Sequence, residues 1–173
     1  MTRYVVLLRG INVGGHNKLP MKDLRGILEG LGFTDVQTYI QSGNVVLSAE
    51  SPPDGSAISA VIEKQFGFSP RVLVISGHQF EAVADANPYK DEDLDGKSLH
   101  ISFLAGPANA DTDGLVARKS PTERYTLTDD AFYFCAPDGI GRSKLAGDTE
   151  KLLGVEATGR NLNTVRKLLE LLT

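Results

Sequence analysis

An α+β fold assembled from two β-α-β-β-α-β runs is what this sequence of 173 residues predicts. Three observations carry the prediction. Alternating and helical apolar spacings follow the order β-α-β-β-α-β within the first ~76 residues. The same order of elements starts again near Leu99. The 41% hydrophobic and 23% charged content is that of a globular chain long enough to bury a core.

The elements follow in order. Arg3 to Arg9 is an apolar strand, and a helix beginning near Pro20 places Leu24, Ile27, Leu28 and Leu31 on one face, with Gly32 suited to its C-terminal end. Val36, Thr38 and Ile40 alternate with polar neighbours, then Ser42-Gly43-Asn44 turns into Val45-Val46-Leu47, which makes a hairpin. Ile58, Val61, Ile62 and Phe66 mark a second helix, and Arg71 to Ile75 is a β-branched strand. A linker helix from Gln79 to Ala86 and an acidic loop from Asn87 to Lys97 follow.

The second run opens with a strand from Leu99 to Ala105 and a short helix from Thr112 to Lys119. Arg124 to Thr128 and Ala131 to Ala136 form a second hairpin. The stretch from Gly141 to Leu153 contains a helix, read as beginning at Asp148, and Val155 to Thr158 reads as a short last strand. A final helix aligns Leu162, Val165, Leu168, Leu169 and Leu172.

The order suits two ferredoxin-like units, each an antiparallel sheet covered by helices. The boundaries are residues 1–76 for the first unit, 77–97 for the linker helix and acidic loop, and 98–173 for the second unit with its C-terminal helix. No residue-level repeat accompanies the repeated order, so a single mixed sheet of about eight strands is the alternative.

With 18 basic and 22 acidic residues the net charge is −4, which argues against bulk electrostatic binding to nucleic acid or membranes while permitting a local basic patch. Cys135 is the only cysteine, so no intrachain disulfide can form. The apolar run after Arg3 is short for a secretory segment, and no stretch reaches the ~20 apolar residues that span a bilayer. A cytoplasmic location and no membrane partner are the expectation.

Four polar, glycine-containing segments stand out at the ends of predicted elements. In the first, Arg9 to Lys18, three glycines, two asparagines and two cations lie at a strand-to-helix junction, which suits a backbone that approaches an anion. Its spacing is neither a Walker loop nor a dinucleotide fingerprint. Gln41-Ser42-Gly43-Asn44 reads as a hairpin turn or as neutral donors beside the first segment. Arg142-Ser143-Lys144, after Gly139 and Gly141, places two cations around a hydroxyl, as a forked phosphate grip requires. In Arg160-Asn161-Leu162-Asn163-Thr164, Asn161 with Thr164 makes a helix start, and Arg160 opposes the helix dipole unless an anion is bound there.

The candidate ligand-binding residues are therefore Arg9, Asn12, Gly14, Gly15, Lys18, Gln41, Ser42, Asn44, Arg142, Ser143, Lys144, Arg160, Asn161 and Asn163. These segments, extended by one turn to Arg166 and Lys167, hold 7 of the 18 cations, whereas Ser48 to Asp113 contains four cations and eleven acids. His16 is the candidate acid/base, being the one histidine inside a candidate segment. His16, His78 and His100 are too scattered for zinc, Cys135 reads as a core thiol, and Asp91 to Asp95 reads as a solvated loop rather than a calcium site. No metal or cofactor is expected.

The combined set RGINVGG (Arg9 to Gly15), Asn17-Lys18 with Pro20, QSGNVV (Gln41 to Val46), GRSKL (Gly141 to Leu145) and Arg160-Asn161 with Asn163-Thr164 resembles the bacterial domain-of-unknown-function family 1697. The resemblance implies two intertwined ferredoxin-like (α-β plait) units and no established activity. The family often has an aromatic residue where this chain has Leu162. Three functions are open: recognition of a phosphate-containing small molecule or nucleic-acid end, a scaffold whose polar motifs hold the two units together, and an enzyme acting on a small anionic metabolite.

Overall fold

The computed structural model describes residues 1–173. The elements are β1 (Thr2–Arg9), α1 (Met21–Gly30), β2 (Thr34–Tyr39), β3 (Asn44–Ala49), α2 (Gly55–Phe66), β4 (Arg71–Ser76), α3 (Gly77–Asp85), β5 (Leu99–Leu104), α4 (Thr112–Arg118), β6 (Arg124–Leu127), β7 (Ala131–Cys135), α5 (Lys144–Leu153), β8 (Ala157–Asn161) and α6 (Leu162–Leu172). A single 3-10 turn, Gly96–Ser98, precedes β5. The chain is α+β with two four-stranded antiparallel sheets, ordered β2-β3-β1-β4 and β6-β7-β5-β8, so the single mixed sheet is ruled out. No helix is long and apolar enough to cross a membrane.

The chain divides into two compact units, Met1–Glu81 with Lys167–Thr173, and Ala82–Arg166. In the first, Tyr4, Val6 and Leu8 of β1 point to one face with Val45, Leu47 and Val36, and pack on Leu24, Ile27 and Leu28 of α1 and Ile58 and Ile62 of α2. Helices α1 and α2 are amphipathic for that reason. The alternate residues Val5, Leu7 and Val46 are also fully buried, so β1 is a central strand apolar on both faces. Asp54 caps α2 by accepting from the Ser56 amide, and Gly67, at φ 83°, ends it. Gly32, at φ 93°, follows the end of α1 as expected. The C-terminal segment joins this unit where Arg3 donates to the Leu171 carbonyl at 2.6 Å.

In the second unit Phe132, Phe134 and Ala136 pack with Leu115 of α4 and Leu145, Leu152 and Leu153 of α5. Phe132 stacks between Tyr125 and Phe134, with ring centroids 5.5 and 6.2 Å away. Two sequence expectations move here. Helix α5 begins at Lys144 rather than Asp148, because Ser143 caps it by accepting from the Ala146 amide at 3.0 Å. The last strand is Ala157–Asn161 rather than Val155 to Thr158, because β5 pairs with β8 from His100 opposite Asn161 to Leu104 opposite Ala157.

The acidic loop is anchored rather than simply solvated. Arg124 forks onto the Glu92 carboxylate, with Nη1 to Oε2 at 2.9 Å, and lies 5.1 Å over the Tyr89 ring. That guanidinium holds the Glu92 carboxyl below the ordinary carboxylate range. Tyr89 in turn shares a 2.9 Å hydrogen bond with Thr126 of β6. Cys135 is buried in β7, as a core thiol should be.

Candidate functional site: two polar sheet ends

In the first unit, the end of β1 and the β2–β3 turn lie at the same end of the sheet, since Leu7 pairs with Asn44 and Tyr39 with Asn44. Asn12 is the joint between them. Its amide donates to the Leu19 carbonyl at 2.9 Å and to the Gln41 carbonyl at 2.8 Å, while its Oδ1 accepts from the Leu19 amide at 2.8 Å. Asn17 closes the base of the loop, donating to the Gly10 carbonyl at 2.9 Å as its own carbonyl accepts from the Asn12 amide at 3.0 Å. Both asparagines sit at φ 53°, a left-handed conformation that asparagine tolerates better than most residues.

Between them Val13 and His16 bridge, and Gly14 and Gly15, at φ 58° and 77°, make the two-residue reversal. The tip is thus a small, stiff hairpin. Val13, Gly14, Gly15, His16 and Lys18 are exposed on it. The His16 ring has no hydrogen-bond partner, and nothing orients it as a general base.

The Gln41-Ser42-Gly43-Asn44 turn is held internally. Asn44 is fully buried and donates to the Tyr39 carbonyl and to Ser42 Oγ, each at 3.0 Å. Gly43 sits at φ 89°, and a Cβ there would lie 2.8 Å from Leu8 Cβ and from Ile11 Cδ1, so this position admits only glycine. Arg9 pairs across the sheet with Arg71.

In the second unit, the two motifs that the sequence separates share the opposite kind of end, where β5 begins. The Ala136 amide donates to the Ser98 carbonyl at 2.8 Å, which brings the loop after β7 beside the start of β5, and His100 opposite Asn161 brings the end of β8 there too. Gly139, at φ 87°, reverses the chain, and Ser143 donates its amide to the Ile140 carbonyl at 3.1 Å while its hydroxyl caps α5. Arg142 and Lys144 are exposed, and neither makes a hydrogen bond or ion pair through its side chain. By contrast Arg25, Arg118 and Arg124 are each matched to a carboxylate.

The last motif is strand-borne. Arg160 lies in β8, one residue before the α6 cap, and donates to the neighbouring Gly159 carbonyl at 2.9 Å. Asn161 caps α6 by accepting from the Thr164 amide at 3.0 Å, as the sequence predicts. Asn163 covers Gly96, where an added Cβ would fall 2.1 Å from its Oδ1. The same sheet end holds a feature the sequence does not signal. Nε2 of His100 is fully buried without a partner, and burial holds this imidazole below the ordinary histidine range against a hydrogen bond to the Lys97 backbone.

A twofold β-α-β-β-α-β chain with glycine- and asparagine-shaped polar sheet ends defines a class of small α+β proteins rather than an activity. The chain belongs to the family described as protein of unknown function DUF1697, whose model matches residues 1–133. Among solved structures it is similar to the conserved bacterial protein SP0830 from Streptococcus pneumoniae, at 26% identity and a TM-score of 0.69, over 99% of each chain. No curated protein matches it.

Proposed function

We propose that this chain binds a phosphate-containing ligand, a nucleotide or a nucleic-acid end, and that the first turn of α5 is its anchoring point. The observation that carries the reading is the pair Arg142 and Lys144, exposed and unmatched by any carboxylate on either side of the capping Ser143. The amides of Lys144 and Leu145, in the first turn of the ten-residue α5, have no intrahelical acceptor. An anion placed there meets two amides, two cations and the positive end of the helix dipole.

A thermal-shift panel of nucleotides, sugar phosphates, pyrophosphate and short oligonucleotides at low salt tests it. A ligand at about 100 times its Kd stabilises by about 2.7 kcal/mol, a shift of a few degrees for a chain of this size. The shift given by pyrophosphate should shrink steeply with salt and be lost in Arg142→Ala. Absence of any salt-sensitive shift across the panel would sink the proposal.

A structural reading has support in Asn12, Asn44, Ser143 and Asn161, whose side chains bond within their own unit and so shape loops rather than join the two units. The two readings divide the motifs between them: asparagine and serine shape the loops, and the exposed cations do the recognising. The enzyme reading takes His16 as acid/base with the arginines as electrophilic stabilisers, and no bond orients the His16 ring for that role. As part of the same reading, each unit is a ferredoxin-like plait, supported by its β-α-β-β-α-β order and by the shared strand order of the sheets. A cytoplasmic location completes it.

A further inference from the structure

We propose that the two turns at the Arg9 end of the first unit's sheet form a clasp for a nucleoside 5′-phosphate. It goes beyond the α5 reading, since it uses neither Arg142 nor Lys144.

The starting point is Ile40. This β-branched residue sits at φ 49°, where such side chains are strained, yet it is 48% exposed and gains little burial in return. Strain of this kind persists where surrounding structure imposes it. Here Asn44 fixes the Tyr39 carbonyl on one side, and Asn12 fixes the Gln41 carbonyl on the other. A second aliphatic side chain, Val13, is 64% exposed on the facing loop. Each of the two is one residue from the Asn12–Gln41 hydrogen bond, so the turns that present them cannot drift apart.

The loop that carries Val13 also offers donors. The main-chain amides of Gly14 and Gly15 have no acceptor, and Lys18 is exposed without a partner. Residues 9–22 and 36–49 contain no carboxylate. Consecutive amides at positive φ beside a lysine suit a phosphate, and a pair of exposed aliphatic groups suits the face of a planar ring. A bare anion leaves Ile40 and Val13 without use, and an uncharged ring leaves Lys18 and the glycine amides without use. A ring that carries a phosphate uses all of them.

Calorimetry on the full chain at low salt, with a nucleoside 5′-monophosphate, the nucleoside and inorganic phosphate, tests the clasp. Ile40→Gly is the informative variant, because glycine accepts φ 49° without strain. Its melting temperature should equal or exceed that of the native chain. The monophosphate should bind at least about tenfold more tightly than inorganic phosphate, and Ile40→Gly should erase that advantage. Lys18→Ala should weaken both ligands, and Arg142→Ala should change neither at this site. Equal affinities for monophosphate and phosphate, or an Ile40→Gly chain that binds as tightly as the native one, would overturn the clasp. Nucleotide affinity lost in Arg142→Ala and untouched in Ile40→Gly would also overturn it while leaving the α5 reading in place. Loss in Ile40→Gly with none in Arg142→Ala would uphold the clasp as a site separate from α5.

Discussion

Asn12 donates to the main-chain carbonyl of Gln41 across 2.8 Å, and this bond joins the loop after β1 to the turn between β2 and β3. The same side chain holds both the amide and the carbonyl of Leu19. One residue thus fixes two loops and the approach to α1. Asn12→Ala removes all three bonds and leaves a β-carbon at φ 53° without the local bonding that offsets it. The expected cost is about 2–4 kcal/mol, at roughly 1 kcal/mol per bond plus strain. Urea denaturation measures it, and a loss within about 0.5 kcal/mol would remove Asn12 from its structural role.

Gly43→Ala should be among the most damaging substitutions in the first unit. The new methyl would overlap Leu8 and Ile11 at 2.8 Å, and φ 89° disfavours any side chain. A loss of about 3 kcal/mol or more is expected, seen as a lower urea midpoint or as insoluble expression.

Acid should weaken the chain through His100. Its imidazole is held below the ordinary value of 6.5 by burial, with the Lys97 backbone opposing. As pH falls the unfolded chain takes up this proton first. The stability His100 contributes is therefore present above the unfolded value and lost as pH falls through the lower folded one. Urea midpoints at about pH 7.5 and about pH 5 should differ less in His100→Phe than in the native chain. An equal difference would show that His100 does not set the acid limb.

The alkaline side rests on Tyr133. Its hydroxyl donates to the Val83 carbonyl at 2.7 Å, and burial, then the charge of Asp130, pushes its pKa up to about 12. Here the unfolded chain releases the proton first, so the contribution is full below the unfolded value of 10 and is lost as pH rises through about 12. Tyr133→Phe should cost about 1 kcal/mol at neutral pH and flatten the decline above pH 10. A decline as steep as in the native chain would place its cause elsewhere.

Most of the elements were legible because their apolar spacing is regular: β1, α1, the first hairpin and α6 stand within two residues of where the pattern puts them. The misplacements have local causes. Ser143 reads from sequence as a hydroxyl between two cations and is in the structure a helix cap, so the spacing puts the start of α5 four residues late. Thr158-Gly159-Arg160-Asn161 has the composition of a loop, and only its pairing with β5 makes it a strand. The bonds of Asn12 reach Leu19 and Gln41, 7 and 29 residues away, through main-chain atoms that carry no residue signature. The strain at Ile40 and the orphaned Nε2 of His100 depend on backbone angle and burial, which residue spacing does not encode.

The measurement that tests phosphate recognition most directly is a heteronuclear NMR titration of the amide-labelled chain with pyrophosphate at low salt. Saturable shifts should appear at the amides of Lys144 and Leu145 and at the Arg142 side chain, and should vanish in Arg142→Ala. Unmoved resonances at the start of α5, in a chain that is otherwise folded, would contradict the account.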